Sequence, residues 1–273
     1  MDSSVVALTL AAAVLHATWN ALAHGVKDRL VGFALIGVAY VGAGGAGALL
    51  LGLPPAAAWP YVVTSAAVHV VYVLLLWASY ELGDFSQSYP IARGTAPWLV
   101  AVVEVALGHR LPLVQAAGIL VVTLGLLSLA RGGRRDRRAV GAAVATGVAI
   151  AAYTVIDATA VQVSPVPVYA AWMFLLQGPV LPIIALARRR RELKATRPGT
   201  VAMGVGGGLV SLVAYGLVLV AQTSGATAAI AALRETSIVI GALIGAVFFQ
   251  EGLGARRAVA AGIVVAGIVL VSF

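Results

Sequence analysis

The chain has 273 residues, of which 61% are hydrophobic and only 10% are charged, too few to cover the surface of a soluble protein of this length. Its net charge of +8 does not indicate nucleic-acid binding, because the basic residues cluster at 131–138 and 188–197, between long apolar runs. With no cysteine, the chain has no disulfide, thiolate metal site or cysteine nucleophile. The composition predicts an all-α membrane protein embedded in a lipid bilayer.

Apolar runs of about 20 residues, each long enough to cross a bilayer, follow one another along the chain. Prolines, glycines and charges between them predict ten transmembrane helices, at 3–23, 30–52, 58–80, 86–107, 111–130, 139–160, 166–187, 200–221, 226–249 and 255–272. The first run is predicted to be a retained helix, because a signal peptide would have a basic start and a purely apolar centre. The short connections predict that neighbouring helices run antiparallel.

The positions of the basic residues predict an orientation. Of the 18 Lys and Arg residues, 15 fall in the loops after odd-numbered helices, and Arg110 is the one basic residue in the other loops. Arg93 and Arg234 lie inside predicted helices. Since basic loops stay in the cytoplasm, we expect the odd-numbered loops there and both chain ends outside the cell inner (plasma) membrane.

The two halves of the chain resemble each other. HATWNA, which begins at His16, aligns with YTVIDA and places Asn20 opposite Asp157. YPIARGTAP aligns with IAALRETSI and places Arg93 opposite Arg234. Because each copy would have five helices, the second copy must be inverted in the membrane. We therefore expect one membrane domain made of two inverted five-helix repeats, 1–130 and 139–273, joined by a basic cytoplasmic linker at 131–138.

Four stretches carry a family resemblance: HATWN, SQSYPIARGTAP, ALRETSIVIGALIGAVFFQE and AAGIVVAGIVLV. Through them the sequence resembles the drug/metabolite transporter superfamily, in its EamA-like ten-helix branch. The likeness extends over nearly the whole chain. It implies transport of a small metabolite, often outward. One departure is His109, which stands in the first repeat where a glutamate like Glu251 is expected.

Arg93 and Arg234 are the leading candidates for substrate binding, because a charge inside a membrane helix costs about 2.5–3.5 kcal/mol and usually faces a cavity or a partner. Either they attract a carboxylate or phosphate, or hold a neighbouring acid, or they lock helices together by bonding backbone carbonyls. Pro90, Gly94 and Pro97 predict an interruption of helix 4 around Arg93.

Other polar and aromatic residues are predicted to share the central cavity. His69 lies near the middle of helix 3, with Tyr72 on the same helical face, and is either a substrate or proton ligand or a satisfied core residue. Asp157 is a candidate proton or cation site, unless it is wet at the end of its helix. The further substrate-binding candidates are Trp19, Asn20, Tyr89, Trp98 and Tyr215, and the further proton-coupling candidates are Glu235 and His16.

Fixed positive charge, acids and aromatic faces together favour a small zwitterion such as an amino acid. The first hypothesis is therefore a secondary active transporter, an exporter, that works by alternating access. Its cavity would be lined by predicted helices 1, 3, 4, 6, 8 and 9. The alternative is a proton-coupled exporter of organic cations, in which the arginines are structural.

An enzyme is not expected. The four histidines are scattered over predicted helices 1, 3 and 4 or their ends, and no Walker, HExxH or GxSxG motif occurs. No cofactor or metal is expected, and the small-molecule substrate and the lipid bilayer are the expected partners. Since two inverted repeats can build a cavity within one chain, we expect a monomer.

Overall fold

The computed structural model describes residues 1–24, 26, 28–82, 85–130, 136–248 and 254–273. Across these ranges the regular secondary structure is entirely helical, as the composition predicts. The helices are α1 Ser3–His24, α2 Arg29–Leu51, α3 Trp59–Leu82, α4 Phe85–Ala106, α5 Leu113–Leu129, α6 Arg137–Val163, α7 Val166–Gln177, α8 Val180–Arg188, α9 Arg190–Lys194, α10 Pro198–Gln222, α11 Thr227–Leu233, α12 Thr236–Phe248 and α13 Ala255–Ser272. A short 3-10 turn, Ala56–Ala58, precedes α3.

Eight segments of the described chain are long and apolar enough to cross a membrane, as expected of a multi-pass membrane protein. They fall in α1, α2, α3, α6, α10 and α13, and in the joined pairs α7–α8 and α11–α12. The other two predicted spans correspond to α4 and α5. Helix α5 is apolar but has only 17 residues, whereas α4 has 22 residues and carries Arg93, Glu104 and two prolines.

Two predicted spans are interrupted, and neither is helix 4. The span 166–187 divides at Gly178 and Pro179, and the span 226–249 divides at Arg234 and Glu235. At the second break, Ser237 donates its backbone N–H to the carbonyl of Arg234 at 3.1 Å. This bond joins residues three apart, as in a 3-10 helix, whereas an α-helix joins residues four apart. The predicted interruption of helix 4 is wrong, because α4 continues through both of its prolines. Neighbouring helices can support a membrane helix where proline removes a hydrogen bond.

Helix pairs approach closely where one of them carries glycine. A Cβ atom on Gly37 of α2 would lie 2.6 Å from the carbonyl oxygen of Gly178, and one on Gly44 would lie 2.8 Å from that of Ala171. These contacts require glycine, as small-residue interfaces in lipid do. They also show that α2 and α7 run antiparallel, because the contact partner moves back along α7 as α2 advances.

Helices α5 and α13 cross in the same way. Gly118 lies against Gly267, and Gly125 lies against Val264, so this pair is also antiparallel. Elsewhere, α1 packs along α10, α3 and α4 pack along α6, and α1 also packs on α12. The buried arginine, histidine and acidic side chains among the described residues lie on α3, α4 and α6 and at the break between α11 and α12.

Candidate functional site

A cavity of about 110 Å³ lies inside the helix bundle. Helices α1, α2, α3, α6, α7, α8 and α10 and the break after α11 contribute its described lining residues. Apart from glycine and aliphatic side chains, these are His16, Trp19, Phe33, Tyr40, His69, Tyr72, Tyr153, Phe174, Gln177, Ser211, Tyr215 and Arg234. The lining differs from the expected one in two ways. It includes α2 and the pair α7–α8, which correspond to predicted helices 2 and 7, and it includes no described residue of α4.

Arg234 brings a positive charge to the cavity wall. It follows the last residue of α11 at the break, is 8% exposed, and its guanidinium carbon lies 5.4 Å from the ring centre of Tyr215. Within the part of the chain that the structure describes, no carboxylate lies within 4.0 Å of its nitrogens. Its charge is therefore available to an anionic group in the cavity.

Arg93, its partner in the sequence repeat, is placed differently. Its Nε donates to the Glu235 carboxylate at 3.0 Å, and an Nη donates to the Ser237 hydroxyl at 3.3 Å. Both members of this ion pair are buried, and Arg93 is not among the described cavity-lining residues. The contact corresponds to the expected alternative in which the arginine holds a neighbouring acid. It joins α4 to the broken helix.

Asp157 is held by three hydroxyl groups from three other helices. Tyr169 of α7 donates to Oδ1 at 2.5 Å, Ser65 of α3 donates to the same oxygen, and Tyr215 of α10 donates to Oδ2. The side chain has no solvent exposure. The alternative interpretation, in which Asp157 is wet at a helix end, is wrong, because these three helices converge on it. The described residues therefore surround this carboxyl group with three O–H donors and no acceptor.

His69 connects this carboxylate to the cavity. Its Nδ1 lies 3.0 Å from the Ser65 carbonyl oxygen, so this nitrogen carries the hydrogen and donates it. The ring stacks on Tyr153, with centroids 3.9 Å apart, and meets the edge of Tyr215 at 5.4 Å. Tyr72 meets Tyr153 edge to face at 5.5 Å. His69 and Tyr72 thus belong to one aromatic cluster that forms part of the cavity wall.

The residues predicted on α1 form their own hydrogen bonds. Trp19 Nε1 donates to Nδ1 of His16 at 3.2 Å, which places the ring hydrogen of a neutral His16 on Nε2. Both side chains line the cavity. Asn20 instead donates to the carbonyl of His16 at 2.7 Å, one turn back on the same helix.

Two α4 candidates lie away from the described cavity wall. Trp98 is 40% exposed, on the outer surface of the bundle, and Tyr89 is partly buried beyond the lining residues. Glu251 and residues 131–135 of the basic linker lie outside the described residues.

Several residues of the site were not singled out from the sequence. Ser65 is one helical turn before His69, and this spacing of four is the signal that indicates a shared face. Tyr169 and Tyr40 gave no such signal. Tyr169 lies in the first turn of its helix, where tyrosine near a membrane surface is common, and Tyr40 has only apolar and small neighbours in the sequence. Tyr40 and Ser211 are 2.8 Å apart and bond across the cavity wall between α2 and α10.

The chain is similar to a known protein family in sequence and to a solved structure in fold. The profile of the EamA-like transporter family matches residues 137–273. No curated protein matches the chain. A crystal structure, described only as that of a protein, is similar over 99% of this chain and 96% of its own, with a TM-score of 0.78 and 19% sequence identity. At this identity the likeness shows the fold alone.

Proposed function

Because the chain belongs to the EamA-like transporter family, and so to the membrane transporters of the drug/metabolite transporter superfamily, we propose that it carries a small carboxylate-bearing metabolite, such as an amino acid or a related zwitterion, out of the cell. One observation carries the choice of substrate. Arg234 lies on the wall of an aromatic cavity and has no carboxylate partner among the described residues.

In this proposal Arg93 has a structural role and Arg234 binds the substrate. Arg93 neutralises Glu235 and fixes the broken helix to α4, whereas Arg234 receives the substrate carboxylate in a charge-assisted hydrogen bond. The guanidinium stands beside the Tyr215 ring, whose face stabilises it without competing for a carboxylate. The Arg234 guanidinium is therefore already desolvated and held in position before a carboxylate binds.

The rest of the cavity suits an apolar group and an ammonium. Tyr40, Tyr72, Tyr153 and Phe174 present ring surfaces, which bury apolar groups and attract cations. The same rings also favour the second candidate function, the proton-coupled export of organic cations, since Asp157 lies directly behind Tyr215. In that candidate, Arg234 would be a structural residue.

Alternating access rests on the inverted repeat. In the sequence alignment, α1 corresponds to α6 and α3 corresponds to α10. The packed pair α1 and α10 is therefore the repeat equivalent of the packed pair α6 and α3. The repeat-related pairs α2 with α7 and α5 with α13 run antiparallel, as inversion requires. These features support two five-helix repeats, 1–130 and 139–273, that rock against each other around the cavity. We further propose a plasma-membrane monomer with cytoplasmic odd-numbered loops.

Three ligands that share the isobutyl group of leucine test the substrate class. Purified protein is heated with one of three ligands. Leucine carries both a carboxylate and an ammonium, 4-methylpentanoate carries only the carboxylate, and 3-methylbutylamine carries only the ammonium. A ligand that binds the folded state raises the unfolding midpoint according to RT ln(1 + [L]/Kd). We expect leucine and 4-methylpentanoate to stabilise the wild type but not Arg234→Gln. Arg110→Gln, in a loop, is the matched control.

The opposite pattern contradicts the proposal. If 3-methylbutylamine alone stabilises the protein, and equally in Arg234→Gln, the carboxylate has no role and the cation exporter takes its place. Proteoliposomes then test transport itself. Vesicles loaded with unlabelled leucine should accumulate external labelled leucine by exchange only when they contain protein with Arg234.

A further inference from the structure

We infer that Asp157 is a proton site linked to Arg234: a ligand that brings a carboxylate but no positive charge binds together with one proton, which Asp157 takes up. This inference deepens the proposed function and rests on it, because it starts from a carboxylate bound at Arg234. It assigns the coupling ion and states which substrates move with it.

The inference begins with the balance of buried charge. Among the described residues around the cavity, the buried arginine and acidic side chains are Arg93, Arg234, Glu235 and Asp157, which we take as charged when no ligand is bound. Two cations and two anions leave this set neutral. Arg93 and Glu235 neutralise each other directly at 3.0 Å. Arg234 and Asp157 therefore remain as the second couple, although no direct contact joins them.

Tyr215 lies between the members of that second couple. Its hydroxyl donates to Oδ2 of Asp157, and its ring faces Arg234 at 5.4 Å. When a ligand carboxylate neutralises Arg234, Asp157 becomes an unpaired anion with no solvent exposure. A buried charge without a partner is strongly disfavoured, and such a group neutralises instead. One proton on Asp157 restores neutrality.

The surroundings of Asp157 can accept its protonated form. The groups in contact with it are the hydroxyls of Ser65 from α3, Tyr169 from α7 and Tyr215 from α10. The titratable and charged groups next to these, or on the other elements packed around α6, are His69 of α3, Tyr153 of α6 itself, Arg234 at the break after α11, and Arg93 of α4 with Glu235. The 3-10 turn Ala56–Ala58 adds no titratable group. A hydroxyl can turn from donor to acceptor, so Tyr169 or Tyr215 can receive the new O–H.

The two histidines of the cavity are less suited to this proton. Nδ1 of His16 accepts a hydrogen bond from the Trp19 N–H. A proton on Nδ1 would make it a second donor that points at the Trp19 N–H. His69 already uses Nδ1 as a donor to Ser65, so only its Nε2 could take a proton, between the rings of Tyr153 and Tyr215. Asp157 has two oxygens and three reorientable partners. The proton therefore resides on the carboxylate.

The consequence depends on the charge of the ligand. A monocarboxylate such as 4-methylpentanoate adds one negative charge to the site and needs one proton. Leucine brings its own ammonium, so it leaves the site neutral and needs none. Proton uptake thus separates two ligands that share Arg234 and the same carbon skeleton.

Calorimetric titration of the purified wild type measures the proton count directly. Each ligand is titrated at pH 7 in phosphate and in Tris, and the difference in heat gives the protons taken up. We expect about one for 4-methylpentanoate and about zero for leucine. The affinity for 4-methylpentanoate should rise by up to about tenfold for each unit that the pH falls, while that for leucine stays level between pH 6 and 8.

Variants assign the proton. In Asp157→Asn the uptake with 4-methylpentanoate should vanish, and its pH dependence with it. Equal proton counts for the two ligands in the wild type overturn the inference without any variant. So does uptake that persists in Asp157→Asn, or that disappears in His69→Asn while Asp157→Asn keeps it. If neither ligand requires Arg234, the proposed function fails first; binding that requires Arg234 but takes up no proton overturns the linkage alone.

Discussion

The buried ion pair of Arg93 and Glu235 makes a prediction at the scale of single residues. Removal of one partner leaves the other as an unpaired charge in a place with almost no exposure. We expect Arg93→Gln to lower the free energy of unfolding by about 3–5 kcal/mol. Thermal unfolding of the detergent-solubilised protein measures the effect.

The double variant Arg93→Gln with Glu235→Gln is the control for this pair. Because both charges are gone, it should regain most of the lost stability, and the two single effects should be far from additive. Additive losses would mean that the two side chains do not depend on each other.

Tyr169 supplies a second test at this scale, through its hydrogen bond to Asp157. A hydrogen bond to a charged group contributes about 1.5–3 kcal/mol, so Tyr169→Phe should destabilise the protein by that amount. Tyr61→Phe is the matched control, since the described residues offer Tyr61 no hydrogen-bond partner. Equal midpoints for the two variants would show that Asp157 does not need the Tyr169 hydroxyl.

Individual site residues were predicted from the sequence only in part. His16, His69 and Arg234 stand out because polar groups are costly inside membrane helices, and all three line the cavity. The sequence does not show which of two repeated arginines has an acid beside it. Glu235 is adjacent in sequence to Arg234, yet it pairs with Arg93 across the bundle, because consecutive residues point to different sides of a helical turn.

At the scale of helices, the crossing of α2 and α7 predicts a strict need for glycine at one position. A methyl group on Gly37 would lie 2.6 Å from the carbonyl oxygen of Gly178, so the helices must separate. We expect Gly37→Ala to lower stability by about 1–3 kcal/mol. Gly42→Ala, on the same helix, meets nothing within 4 Å and should be neutral or slightly stabilising. Thermal midpoints of the two variants compare them directly.

Apolar length predicted the elements, but glycine and proline did not reliably predict their breaks. One break falls at Gly178 and Pro179, whereas the prolines of helix 4 cause no break and the second break, at Arg234 and Glu235, has neither proline nor glycine. Tertiary contacts decide this. The turn places Arg234 on the cavity wall and Glu235 against Arg93, and no local pattern records either contact.

At the scale of the whole molecule, the repeat and the family resemblance carry most of the information. The alignment of His16 with Tyr153 and of Asn20 with Asp157 predicts that α1 and α6 are equivalent helices, and the family is confirmed by the profile over 137–273. The shape of the cavity could not be predicted, because it depends on helix crossings that close glycine contacts determine one by one. The predicted lining therefore included helix 4, whereas the described lining includes α2, α7 and α8 and no α4 residue.

The orientation of the molecule is open to a direct test, because the chain contains no cysteine. Single cysteines at Arg110 and Ala195 lie in exposed connections, before α5 and between α9 and α10. Since basic loops are retained in the cytoplasm, a membrane-impermeant maleimide should label Arg110→Cys, but not Ala195→Cys, in intact spheroplasts.

Permeabilised spheroplasts are the control, and both variants should then react. The reverse pattern would place the basic loops outside and overturn the orientation. Labelling of both positions from one side would contradict the inverted repeat itself. An odd number of spans separates the two connections when α7–α8 counts as one crossing, so they must open on opposite faces of the membrane.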